Sequence, residues 1–415
     1  MKSVIIQVVD LVKECKPVMV QLEEARNQLR EQVTPITEIE QIPLMDAVGR
    51  ILAEDAVAIQ NQPPFSRSPL DGYAMRGKDT KGASLNQPKR LTVIGNVYAG
   101  QVFGGTVREN EAVRIMTGAP IPDGADTVIR QEDSDYGMDQ VRIYKESKPY
   151  ENYCPQGEDY KKGMVLLKKG CVLDGVSVAV LASLGNDLVS VYRKPKIAVI
   201  STGDEVMQPG NSLKPGKIYD SNLHFICGRL KELGVTSIAY GHCGDEVEKM
   251  TAQVELFAAQ ADLIITTGGV SVGQKDIMHE VVERLHAKQL FWKVALKPGA
   301  PTLAAVYKGI PMICLSGNPF GAAANFELLV RPTIAALTGN NRWELKTQKA
   351  FLQNDYKKHG KYRRFLRGYT ENGKVWIPSG NHASGVLASM IGCNCLIELS
   401  QDGARKGEEV WIHLL

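Results

Sequence analysis

Residues 262–276 read DLIITTGGVSVGQKD. A short apolar run ends in Gly268, Gly269, Val270, Ser271, Val272 and Gly273, and a helical pattern starts at Asp276, with Ile277, Val281, Val282 and Leu285 on one face. A strand, a glycine loop and a helix start together make an anion site. Glycines let backbone N–H groups approach a ligand, and the helix start adds partial positive charge. No Lys-Ser/Thr follows the loop, so it is not a P-loop, and it is not the dinucleotide pattern G-x-G-x-x-G. An acid closing such a loop implies a bound cation, or a hydroxyl held by a carboxylate.

Two more acids belong with Asp276. The run KIAVIST ends in Gly203-Asp204-Glu205, and TSIAYG ends near Asp245. Taken alone, Asp245 reads as a helix N-cap. Taken together, Glu205, Asp245 and Asp276 deliver carboxylates from three strands to one edge. They would repel an anion unless a hard cation such as Mg²⁺ lay between. The next run, LFWKVAL, puts Lys293 and Lys297 on one face of a strand, which suits an oxyanion; a solvated edge is the plainer alternative. Ser316-Gly317-Asn318-Pro319 precedes a helix and reads as a second anion nest or a plain turn. Asp71-Gly72 reads as an ordinary turn. The basic run from Lys357 to Arg367 reads as a solvated strand face from which one member reaches an anion. The seven histidines show no metal spacing.

The elements that would carry these residues fall into zones. Residues 1–50 read mainly as helix, with Leu22, Ala25 and Leu29 as its apolar positions. From about 91 to 144, short β-like runs alternate with turn signals. From 196 to 317, apolar strands alternate with helical patterns at 221–233, 246–260 and 276–287, followed by a helix over 321–337. That rhythm builds a parallel or mixed sheet covered on both faces, with ligands at the carboxyl ends of its strands. The chain from about 340 onward is strand-rich again.

The totals exclude several classes. The 415 residues carry a net charge of only +3, so no basic field points to nucleic acid. MKSVIIQVVDLVKE is neither a secretory leader nor a membrane span. The eight cysteines are scattered, with no C-x-x-C pair, and read as reduced thiols of a cytoplasmic protein.

The motifs PPFSRSPLDGYAM, RIMTGAPIP, QGED, STGDEV, IYDSN, TTGGVSVGQKD, FWKVALKPG, SGNPFGAAANFE and FLRG occur in this order. Over essentially the whole chain the sequence resembles the molybdopterin molybdenumtransferases, and is similar to the gephyrin E domain. The resemblance implies an enzyme of molybdenum cofactor biosynthesis. It would take molybdate and adenylated molybdopterin, hydrolyse the adenylate with Mg²⁺ to release AMP, and leave the metal on the dithiolene.

The fold implied is α/β multidomain, an L-shaped homodimer whose cleft includes the partner subunit. A helical/mixed elongated domain would take residues 1–61 plus 156–195, and a β-rich insert domain 62–155. An α/β/α three-layer sandwich with a mostly parallel sheet would take 196–338, and a C-terminal β-barrel-like domain 339–415. By motif, the catalytic set would be Asp71, Thr117, Asp159, Glu205, Asp245 and Asp276. Gly268, Gly269, Ser271, Gly273, Lys293, Lys297, Ser316, Pro319, Arg367 and Ser384 would bind substrate or anion, and Mg²⁺ would lie on Glu205, Asp245 and Asp276. A molybdopterin adenylyltransferase would supply the substrate, with no nucleic-acid or membrane partner.

The chain departs from the family pattern at Ser66, Ala300 and Gly321, which bears on oxyanion preference. The alternatives are therefore a paralogue inserting tungstate or another oxyanion, and a non-catalytic molybdopterin-binding or scaffold protein.

Overall fold

The computed structural model describes residues 19–271 and 276–415. The N-terminal helix is shorter than its zone implied. Within the described part it is confined to Leu22–Glu31, whose buried residues are Leu22, Ala25 and Leu29. The β-branched and proline run VTPIT (residues 33–37) follows and supports no helix. A strand, Ile39–Pro43, then replaces the expected helix.

The chain divides into two compact units. One contains the described part of Met1–Glu40, with Gly49–Ile51 and Val191–Leu415; the other is Gln41–Val48 with Leu52–Ser190.

In the second unit, five strands form a sheet in the order Thr127–Arg130, Gly72–Met75, Glu111–Ile115, Lys89–Val97, Gln140–Ile143. The turn read at Asp71-Gly72 is in fact the entrance to its most buried strand. All four residues Gly72–Met75 are buried, with Tyr73 and Met75 in one core and Ala74 in another. A Cβ at Gly72 would lie 1.9 Å from the Ile129 carbonyl oxygen, so only glycine allows this pairing. The unit's helix, Gly175–Ser183, starts where the Asp174 carboxylate accepts from the Ser177 amide at 2.9 Å.

The first unit is built on a six-stranded mixed sheet. Its order is Ser237–Cys243, Lys196–Thr202, Leu263–Thr267, Ile310–Leu315, Leu303–Tyr307, Lys288–Trp292. The first four strands are parallel and the last two antiparallel. Alternate residues of Lys196–Thr202 enter different cores. Ile197 and Val199 pack with Leu223, Ile226 and Leu230, whereas Ala198 and Ile200 pack with Met250, Val254 and Val281. The carboxyl ends of the parallel strands therefore share one edge.

The expected strand through Lys293 and Lys297 does not exist as one element. It stops at Trp292, because Lys293 adopts a left-handed φ of +76°. Leu296–Lys297 then pairs in parallel with Arg363 and Arg364 of a different sheet. That sheet closes on itself: Arg363–Glu371, Lys374–Trp376, Thr347–Leu352, Glu409–Leu414 and Cys395–Leu399 pair in a ring, a five-stranded barrel. Ala350, Leu352, Leu366, Val375, Ile397 and Ile412 form its core.

The helix read at 321–337 runs as Pro319–Asn325, a π-turn over Phe326–Val330, and Arg331–Thr338. Pro332 has no N–H for the Leu328 carbonyl four residues before it, which loosens the helix here. The Arg26 guanidinium from the N-terminal helix takes that carbonyl at 2.7 Å. Beside it the fully buried Glu327 accepts from Arg229 Nε at 2.7 Å and Arg331 Nη1 at 3.1 Å.

Candidate active site

A cavity of about 620 Å³ opens at the carboxyl edge of the parallel strands. Thr202, Glu205, Asp245, Gly268, Gly269, Ser271, Asp276, Ser316 and Pro319 all line it. Eight of the expected residues thus meet around one space, and Thr202, at the end of its strand, joins them. Gly273 lies outside the described residues.

The glycine turn is shaped by close backbone contact. Gly268 (φ +101°) and Gly269 (φ +63°) both occupy the left-handed half of backbone space. A Cβ at Gly268 would sit 2.5 Å from the Thr202 carbonyl oxygen. The turn is closed by Asp276, whose Oδ1 accepts from the Ser271 amide at 2.8 Å. Helix Met278–Arg284 follows, with the Met278 amide bonded to the Gly269 carbonyl at 3.1 Å.

Asp245 is held from the neighbouring strand. Its carboxylate accepts from Thr202 Oγ1 at 3.1 Å and from the Asp204 amide at 3.2 Å, while Asp204 Oδ1 accepts from the Asp245 amide at 3.1 Å. On the other side, Asn222 Nδ2 donates to Thr267 Oγ1 and to the Gly317 carbonyl, both at 2.9 Å. That amide joins the helix start, the glycine strand and the Ser316–Pro319 turn. Asp220 also lines the cavity, nearly buried, and caps helix Ser221–Glu232 through the Leu223 amide at 3.0 Å.

Sequence reasoning missed Thr202, Asp204, Asp220 and Asn222 as site residues. The signal was present: STGDEV and IYDSN put them directly after an apolar run or at a helix start.

Among the described residues, four acids and no Lys, Arg or His line this cavity. Nor does any group of three His, Cys, Asp or Glu among them converge to hold one metal ion. The acids ring the space without forming a cage.

The basic residues lie elsewhere. Lys293 is half-buried, its ammonium 4.4 Å from the centre of the Trp292 ring, and Lys297 is exposed. Neither lines the cavity. Arg367 is fully buried rather than presented to an anion. Its Nη1 donates to the Asn381 carbonyl at 3.1 Å and Ser389 Oγ at 2.6 Å, and its guanidinium lies 3.7 Å over the Phe320 ring. It holds the loop 381–385, which docks on the helix after Asn318. Ser384 makes that dock through its carbonyl, accepting from the Phe320 amide at 2.9 Å, and Gly385 joins the cavity wall.

Asp71, Thr117 and Asp159 belong to the second unit. Asp71 Oδ1 accepts from both the amide and the hydroxyl of Thr117, each at 2.7 Å. Those two hydrogen bonds, the amide first, hold the Asp71 carboxyl below the usual range. Asp159 is exposed, and its amide bonds the Gln62 carbonyl at 2.9 Å.

The three departures make the following local contacts, none of which explains alanine at position 300. Ser66 Oγ accepts from the Gln156 amide at 3.1 Å. Ala300 uses its carbonyl to accept from the Val294 amide at 2.9 Å. A Cβ at Gly321 would meet Gly299 and Ser316 at 3.4 Å, an ordinary van der Waals contact.

Comparison with known proteins is consistent along the chain. Residues 20–185 match the MoeA N-terminal region (domain I and II), 198–336 a probable molybdopterin binding domain, and 349–415 the MoeA C-terminal region (domain IV). The molybdopterin molybdenumtransferase of Staphylococcus epidermidis is 38% identical over 383 residues, covering 92% of this chain and 91% of that one. The enzyme of the same name from Haemophilus influenzae is 37% identical over 409 residues, covering 96% and 100%. Among solved structures, the molybdopterin biosynthesis MoeA protein of Pyrococcus horikoshii superposes with a TM-score of 0.81 at 33% identity, covering 96% of this chain and 100% of that one.

Proposed function

This chain belongs to the MoeA family of molybdopterin molybdenumtransferases and is an enzyme of molybdenum cofactor biosynthesis, and from that premise we propose that it inserts molybdenum from molybdate into adenylated molybdopterin, with release of AMP and dependence on Mg²⁺. The observation that carries the details is the chemistry of the cavity wall. A ligand bearing phosphates meets glycine main chain and four carboxylates there, and among the described residues no cationic side chain. Such a wall accepts a polyanion only together with a cation.

The donors fit Mg²⁺. All are hard oxygens, and they do not close into a cage of three. Mg²⁺ usually keeps several waters and binds through one or two carboxylates plus substrate phosphates. Glu205, Asp245 and Asp276 would hold it, and when bound it would neutralise charge on the phosphates.

This chain's own groups do the rest. The Thr202 hydroxyl and Asp204 amide hold the Asp245 carboxylate in place. Asp276 fixes the glycine turn against which the phosphates rest. The lysines, near but outside the cavity wall, would draw molybdate toward it.

The same reading makes residues 196–338 a three-layer α/β/α domain, beside domains at 1–61 with 156–195, 62–155 and 339–415. It also makes the protein a cytoplasmic homodimer whose partner subunit completes the cleft, fed by a molybdopterin adenylyltransferase. Among the described residues no helix is long and apolar enough to cross a membrane.

The test is AMP release from adenylated molybdopterin. Release should need both Mg²⁺ and molybdate and should stop on chelation. Purified protein that releases no AMP with both present refutes the reading.

A further inference from the structure

The cluster around Trp292 has no part in the cavity wall, yet it touches three pieces of the proposed machinery. Trp292 ends the strand Lys288–Trp292. Its indole Nε1 donates to the Val270 carbonyl at 3.3 Å, so it tethers the glycine loop from behind. The Lys293 ammonium lies over its ring at 4.4 Å. The His279 imidazole, on the helix that follows Asp276, meets the indole edge-on with ring centres 4.0 Å apart.

Lys293 itself is held in an unusual pose. Its φ of +76° is rare for a side-chain-bearing residue and is kept only where neighbours over-determine it. Here they do. The Lys293 amide donates to the Thr302 carbonyl at 2.9 Å, and its carbonyl accepts from the Val20 amide at 3.1 Å. The backbone twist ends the strand and turns the lysine back over the indole of its own neighbour. Without that twist the two side chains would point to opposite faces of a strand.

We propose that Trp292 is a positioning residue: its indole couples the glycine loop to Lys293, presenting the ammonium to an incoming oxyanion while fixing the loop that faces the phosphates. The proposal rests on the reading above in which Lys293 attracts molybdate. An aromatic face under an ammonium restrains it without neutralising its charge, unlike a carboxylate partner. The charge therefore stays available to the oxyanion, and the indole N–H ties the two binding elements to one rigid group.

The experiment is a double-mutant cycle on the full-length protein. Molybdate binding is measured by calorimetry, and the KM for molybdate by AMP release. The variants are Trp292→Leu, Trp292→Phe, Lys293→Ala, and Trp292→Leu combined with Lys293→Ala.

Trp292→Leu should weaken molybdate binding about threefold to thirtyfold, the span of a cation–π contact. It should raise KM in parallel and also lower kcat, because it too loses the N–H that tethers the loop. Trp292→Phe keeps a ring beneath the ammonium and loses the N–H. It should keep most of the molybdate affinity and lose kcat instead, through the untethered loop. If Trp292 acts through Lys293, the double variant binds molybdate no worse than Lys293→Ala alone.

Wild-type affinity in Trp292→Leu, or additive losses in the double variant, overturns the proposal. So does a wild-type protein that binds no molybdate. A wild-type protein that binds molybdate but releases no AMP refutes the functional reading and leaves the binding cycle to decide the role of Trp292. Should Trp292→Leu fail to fold, the split between affinity and kcat in Trp292→Phe decides it.

Discussion

Asp71 shows how two donors from one neighbour set the state of a carboxylate. The Thr117 amide and hydroxyl both bond its Oδ1 and both favour the charged form. The folded pKa is therefore below the unfolded value of about 3.9. The stability from this contact is fully present above that value and is lost as pH falls through the lower, folded one. Thr117→Ala removes the hydroxyl and keeps the amide. In a carboxyl-carbon NMR titration the Asp71 midpoint should move up toward about 3.9 without reaching it; an unmoved midpoint refutes the assignment. A second residue-scale prediction concerns Gly268. Gly268→Ala forces a Cβ to within 2.5 Å of the Thr202 carbonyl in a left-handed conformation. It should cost roughly 1–3 kcal/mol or more in urea unfolding and abolish AMP release. Glu205, Asp245 and Asp276 were legible because acids after apolar runs mark strand ends. Asp204 was harder to read, because it bonds the Asp245 amide, backbone that the sequence does not reveal as neighbouring.

At the scale of elements, the instructive error is the strand through Lys293 and Lys297. Alternation along FWKVALK is a sound strand pattern, but a left-handed residue ends a strand whatever its propensity. Nothing in the composition of the run marks Lys293 as that residue. The strand Leu303–Tyr307 was passed over for the opposite reason: LAAVY is short, and two of its five residues are alanines, which strands disfavour. The helix after Asn318 was legible in position but not in form. Pro332 announces a missing hydrogen bond, while the replacement donor, Arg26, lies 302 residues earlier than the carbonyl it serves. Arg26→Met should leave the Leu328 carbonyl without that donor and cost about 1–3 kcal/mol. Denaturant unfolding reads this directly, and a loss below a few tenths of a kcal/mol would show that the π-turn needs no outside support.

At the scale of the whole chain, the N-terminal helix and the barrel are joined through Arg363. It donates from Nη2 to both oxygens of Glu23, at 2.9 and 2.8 Å, and from Nη1 to Glu398 at 2.8 Å. Glu398 also accepts from His413 at 2.8 Å. Burial alone would raise the Glu398 pKa; the His413 hydrogen bond and the Arg363 charge outweigh it and leave it lowered. A depressed carboxyl stabilises the fold above its unfolded pKa of about 4.3 and loses that effect as pH falls through the folded value. Arg363→Ala should therefore lower the melting temperature near pH 7, and the gap to wild type should narrow once pH drops well below 4. A gap that stays constant with pH would separate Arg363 from Glu398. The barrel was legible as a strand-rich tail, but its closure was not, since ring order depends on pairings far apart in sequence. The pairing of Leu296–Lys297 with Arg363 and Arg364 has a consequence of its own. Lys297 lies in sequence between strands of the six-stranded sheet, yet its main chain pairs with the barrel. On the reading proposed above, in which Lys297 draws in the oxyanion, a change in the barrel strand Arg363–Glu371 would shift Lys297 and with it the preference among oxyanions.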